Sequence, residues 1–142
     1  MDFNFNMVGP IMVLGISAAG SCVGCYIAGA ASHAVMARVE EGHGKYIAMS
    51  AAPASQSIYG FILMLFMSKS ILVGTLSPIS GIAMGLFSGL AMVFSSIFQG
   101  KVCATGIQAS AKQPAIFGKC FAAIGIVESF ALFAFVFALL IM

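Results

Sequence analysis

Four apolar runs, joined by short polar connections, limit this chain more than any other feature. They extend from about Met7 to Met36, Tyr46 to Met67, Pro78 to Ser110 and Ala115 to Met142. The hydrocarbon core of a bilayer takes about 20 residues of helix at 1.5 Å each, and each run is long enough. Lipid offers backbone N–H and C=O groups no partners, so such runs must satisfy their own backbone as α-helices. The expected fold class is an all-α membrane protein with four transmembrane helices. Composition points the same way, because 7% of the 142 residues are charged, against roughly 25% in soluble domains. A formal net charge of +2 is too small to suggest nucleic acid. Met1 to Asn6 contain Asp2 and neither Lys nor Arg. The basic start of a signal peptide is therefore missing, and the first run is expected to stay as a helix.

Basic residues set an orientation. Arg38 and Lys45 flank the first connection, Lys101, Lys112 and Lys119 flank the third, and Lys69 alone lies toward the second. By the positive-inside rule the connections near 38–45 and 110–115 are expected in the cytoplasm, with both termini external. The expected location is the cell membrane, crossed several times.

The chain also repeats itself. "IAGAASHAV" from Ile27 aligns with "FQGKVCATG" from Phe98, and "SQSIYGF" from Ser55 aligns with "VESFALF" from Val127. Hydropathy, connection placement and a polar residue in mid-helix recur together, with Gln56 matching Glu128. Two tandem helical hairpins are expected, 1–71 without a carboxylate and 72–142 carrying Glu128. The helices within each hairpin differ in kind. The first and third carry glycines (Gly20 and Gly24, then Gly81, Gly85 and Gly89), which let helix backbones approach closely in lipid. The second and fourth are bulky, with Phe61 and Phe66, then Phe130, Phe133, Phe135 and Phe137. Slim helices inside and thick ones outside suit a curved assembly.

The last run, "GIVESFALFAFVFALLIM", holds one acid, Glu128. A charged carboxylate at mid-span costs about 2.5–3.5 kcal/mol even on insertion scales, so it marks a functional site by default. Folding the second hairpin between Gln113 and Pro114 brings Gln99 and Glu128 to one level, roughly 21 Å from the turn. Folding the first hairpin about Gly42 sets Gln56 opposite Ala28. Near Gln56, Pro53 removes a backbone N–H and loosens the helix, and Ser55 and Tyr59 add side-chain oxygens. Two glutamines, a hydroxyl, a phenol and a carboxylate form an oxygen-rich cluster of the kind hard cations such as Na⁺ prefer. A bound Na⁺ or a proton would each neutralise Glu128.

Other polar groups read as structural. Cys22 and Cys25 form a CxxC with no second pair or nearby His to complete a metal site, and Cys103 and Cys120 also sit in helical contexts. Ser17, Ser95 and Ser96 read as packing hydroxyls. His33 and His43 read as surface groups near the cytoplasmic end.

"PASQSIYG", "FQGKVCATGIQ" and "VESFALFAFVFALL" in two fused hairpins resemble the proteolipid of V-type and A/V-type rotary ATPases, the duplicated ring protein often termed K or c. The resemblance implies a homo-oligomeric ring, embedded in lipid, that turns against a stator membrane subunit bearing an arginine. A central-stalk subunit would meet the cytoplasmic loops. Glu128 matches the ion-carrying glutamate. In sodium-carrying members the ligands correspond to the Ala52 backbone carbonyl, Ser55, Gln56, Gln99 and Glu128, with Tyr59 holding the carboxylate. Ser55 stands where threonine is more familiar and Ala52 where leucine is, and both keep the oxygens. The resemblance implies no cofactor, only transported Na⁺ or H⁺. No GxxxxGK[ST] phosphate loop occurs, so nucleotide chemistry belongs to another subunit and the chain is not catalytic alone. The alternative is a small proton-coupled antiporter with one essential intramembrane glutamate, which leaves the duplication unexplained.

Overall fold

The computed structural model describes residues 5–142. Residues 1–4, with Asp2 and the start of the first hairpin, lie outside the described residues. Five helices follow in order: α1 (Val8–Met36), α2 (His43–Ala51), α3 (Ser55–Leu72), α4 (Pro78–Lys112) and α5 (Phe117–Leu140). Short 3-10 turns precede α1, α3 and α5. The turn at Ala52–Ala54 joins α2 to α3, so Phe5–Met36, His43–Leu72, Pro78–Lys112 and Pro114–Leu140 form four segments long and apolar enough to cross a membrane. The chain is a multi-pass helical membrane protein.

Local chemistry sets the boundaries. Ser77 caps α4, its Oγ accepting from the Ser80 N–H at 3.1 Å, and Pro78 fills the first helical position, where its missing N–H leaves nothing unpaired. At the end of α3, Gly74 adopts φ 82°. It thereby lets the Thr75 N–H reach back to Ser70 O at 2.9 Å while its own N–H meets Ile71 O at 3.2 Å. That pair of bonds is a Schellman cap, and the left-handed residue within it favours glycine. Pro53 explains the interruption between α2 and α3. Lacking an N–H, it cannot continue the ladder, and the backbone tightens into a 3-10 turn.

Glycines decide the packing. Gly9 and Gly85 face one another across α1 and α4, as do Gly24 and Gly100, so closely that a Cβ on Gly100 would strike the backbone of Gly24. On the other side of α1, Gly60 of α3 meets the Ser17 side chain. The slim helices thus form a tight pair. The thick ones lie outside it, with Phe61, Phe66, Phe130, Phe133 and Phe137 exposed on their surfaces. Lys101 points outward from α4, its Nζ 5.3 Å from the Phe98 ring.

Two apolar cores result, one around Leu63, Met67 and Met92 and one around Met49, Cys103 and Ile107. Buried polar side chains separate them, chiefly Gln56, Gln99, Ser95 and Ser96. The first and third connections lie side by side at one end, where Lys45 sits 5.7 Å from the Phe117 ring. All four cysteines are free thiols. Among the described residues, no three His, Cys, Asp or Glu side chains gather as a metal centre. His43 Nε2 lies 2.8 Å from Val39 O, bracing the first connection.

The register of the first hairpin differs from the one expected. The Ser57 N–H donates to Ser21 Oγ at 3.0 Å, and Gly60 lies against Ser17. Gln56 therefore stands at the level of Ser21, about two turns from Ala28. The reason lies in where the helices stop. With α1 ending at Met36 and α2 starting at His43, the fold centres near Val39 and Glu40 rather than on Gly42.

Candidate ion-binding site

The polar layer converges on Glu128. Its position on α5 turns the half-buried carboxylate toward α3 and α4. The Tyr59 hydroxyl, one turn beyond Ser55 on α3, donates to Glu128 Oε1 at 2.8 Å. Stacking on Phe135, with ring centroids 5.7 Å apart, steadies the phenol. From α4, Gln99 Nε2 donates to Glu128 Oε2 at 3.3 Å and to the Ile124 carbonyl at 3.3 Å. The expected levelling of Gln99 with Glu128 is present because α4 stops at Lys112 and Pro114 opens the turn into α5.

Gln56 joins through Gln99. Its Nε2 donates to Gln99 Oε1 at 2.8 Å, and both amides are fully buried. Its Oε1 faces Ser55, whose hydroxyl lies 3.3 Å away and also lies 3.1 Å from Ala52 O. A serine hydroxyl carries one proton, so it serves the amide oxygen or the carbonyl, not both. The Ala52 carbonyl already accepts the Ser55 N–H across the 3-10 turn. The hydroxyl is therefore free to serve Gln56 Oε1, which accepts that one proton and keeps a second lone pair. The spare lone pairs of Gln56 Oε1, Ser55 Oγ and the Ala52 carbonyl are the kind of oxygen set that a hard cation would take. The residues Ala52, Ser55, Gln56, Tyr59, Gln99 and Glu128 thus stand together, three helices contributing side chains and the α2–α3 turn a carbonyl.

Two serines expected only to pack belong to this layer. Ser96 Oγ donates to Pro53 O at 2.9 Å, holding the tight turn in place. Ser95 Oγ donates to Val127 O at 2.9 Å and accepts from Gln56 Nε2 at 3.4 Å. Nothing in the local pattern "VFSSIFQ" distinguishes these hydroxyls from packing ones. Only the register of α4 against α3 and α5 reveals them.

Fold and site define a class: a membrane protein of two hairpins with a carboxylate held by neighbouring helices at mid-depth. The family of the ATP synthase C subunit matches twice, at residues 8–67 and 82–141, one copy in each half. The chain belongs to that family. It is 36% identical over 138 residues to the A-type ATP synthase subunit K of Methanocaldococcus jannaschii, covering 95% of this chain and 60% of the relative. The chain thus spans less than two thirds of that relative's length. It is also 32% identical over 129 residues to the V-type sodium ATPase subunit K of Enterococcus hirae, covering 88% of this chain and 81% of the relative. It carries two copies of that family's unit, one in each hairpin.

Proposed function

We propose that the chain is the ion-carrying subunit of a rotor ring in a V/A-type rotary ATPase, with Glu128 binding and releasing one cation per protomer. Na⁺ is the favoured cargo. The observation that carries this choice is a set of oxygens linked to the carboxylate through Gln99: Gln56 Oε1, Ser55 Oγ and Ala52 O lie together with one hydroxyl proton among them. Oxygen clusters of this kind suit a hard cation. The sodium ATPase relative from Enterococcus hirae supports the same choice.

The mechanism follows from the contacts. In the closed state Glu128 holds the ion while Tyr59 and Gln99 restrain its two oxygens. The bound cation neutralises the carboxylate, so the site can face lipid as the ring turns. At the stator an arginine competes for the carboxylate by paired charge-assisted hydrogen bonds, and the ion leaves. The connections near 38–45 and 110–115 face the cytoplasm and meet the central stalk, with both termini external. Rotation thereby couples ion movement to ATP hydrolysis or synthesis in the soluble head.

Carbodiimide labelling of the purified protein, across pH and with or without Na⁺, tests the ion. Labelling at Glu128 that Na⁺ suppresses supports a sodium site. Suppression by alkaline pH alone identifies a proton carrier. Purified particles are expected as closed rings of many copies, whereas a dimer would favour the proton-coupled antiporter.

A further inference from the structure

The oxygen and nitrogen of a glutamine amide are alike in shape, and only their neighbours decide which way each points. In this layer the neighbours leave one solution. The Ile124 and Val127 carbonyls can only accept. Gln99 must therefore turn Nε2 toward Ile124 O, at 3.3 Å, and Oε1 toward Gln56. Gln56 answers with Nε2 at 2.8 Å. The second N–H of that nitrogen meets Ser95 Oγ at 3.4 Å. Ser95 is free to accept because its own proton is committed to Val127 O at 2.9 Å. With both N–H groups engaged by α4, Gln56 Oε1 is left turned toward Ser55 and Ala52.

We infer that Ser95 is a positioning residue that, together with Gln99, holds the direction of the Gln56 amide, and so makes this side of the site present acceptors alone to a cation. This role rests on the sodium reading above. Ser95 is 4% exposed, carried on α4 and tied to the α5 backbone next to Glu128. It does not touch the carboxylate. Without its hydroxyl, one N–H of the fully buried Gln56 amide has no partner. The amide is then held by Gln99 Oε1 alone and flips more readily, and each flip sets an N–H in place of Oε1 beside Ser55 Oγ, where Na⁺ needs acceptors. Ser95 thereby acts on the choice between Na⁺ and H⁺, because a proton needs only the carboxylate, which Tyr59 and Gln99 continue to hold.

The test compares Na⁺ protection of Glu128 against carbodiimide in the unaltered protein and in Ser95→Ala, Ser95→Cys and Ser95→Thr. In Ser95→Ala the half-protective Na⁺ concentration is expected to rise about tenfold, the size of one neutral hydrogen bond. Ser95→Cys keeps the volume but offers a weak acceptor, so it is expected to behave like Ser95→Ala even if the smaller side chain loosens the helix. Ser95→Thr, which keeps the hydroxyl, is expected to stay within about twofold of the unaltered protein. The labelling rate in Na⁺-free buffer is expected to be unchanged in all three. A half-protective concentration that does not move in Ser95→Ala and Ser95→Cys overturns the positioning role while leaving the sodium reading intact. So does a Na⁺-free labelling rate that changes in step, since that marks general loosening. If Na⁺ gives no protection even in the unaltered protein, the sodium reading fails and the role of Ser95 falls with it.

Discussion

Replacing Tyr59 with phenylalanine removes a single oxygen from the site and little else. The lost contact is the 2.8 Å hydrogen bond to Glu128 Oε1. Hydrogen bonds to charged groups contribute about 1.5–3 kcal/mol. Two features of the structure favour the lower end of that range. Tyr59 is only half-buried, and Gln99 still restrains the other carboxylate oxygen at 3.3 Å. A loss of about 1.4 kcal/mol corresponds to tenfold in an equilibrium constant. The ring itself should stay where it is, because its stacking on Phe135 does not need the hydroxyl. Tyr59→Phe is therefore expected to raise the half-protective Na⁺ concentration about tenfold while leaving the melting temperature of the detergent-purified assembly unchanged. A shift below about twofold would mean the phenol does not restrain the carboxylate. A matching drop in melting temperature would mean its role is in packing.

Glu128→Gln keeps the shape of the side chain and removes its charge. It is expected to assemble normally but to abolish ion-coupled transport in the reconstituted complex, and retained transport would sink the carrier role. Gly100→Ala adds a methyl group directly against the backbone of Gly24. The two helices must separate, at about 1–3 kcal/mol for overpacking. Thermal melting of the detergent-solubilised protein should fall accordingly, and an unchanged transition would refute the tight α1–α4 pairing.

The sequence exposed some of this arrangement and concealed the rest. Span positions were legible because lipid forces apolar length on any helix that crosses it. The level of Gln99 with Glu128 was legible because Pro114 marks the turn and a hairpin with a sharp turn has a definite centre. The first hairpin lacked such a marker. Residues 37–42 could turn at several places, and Gly42, though its φ is 80°, caps α2 rather than sitting at the apex. A fold about Gly42 therefore sets Gln56 about two turns from its actual level. Pro53 announced a disturbance, but the tight turn it produces depends on Ser96, which arrives from another helix. Ser95 was hidden for the same reason: its partners are 32 and 39 residues away. Hydroxyls in an apolar helix look alike until their neighbours are known.

The contacts to Glu128 are few compared with those among the groups around it. Among the described residues, swinging the carboxylate away breaks its side-chain bonds to Tyr59 and Gln99 and no others. Gln99 stays tied to Ile124 and Gln56, and Gln56 to Ser95. An emptied cradle therefore keeps its form while the acid is elsewhere. In the proposed carrier role, reloading needs one side chain to return, not six residues to rearrange, which suits a part that would repeat the same exchange at every revolution.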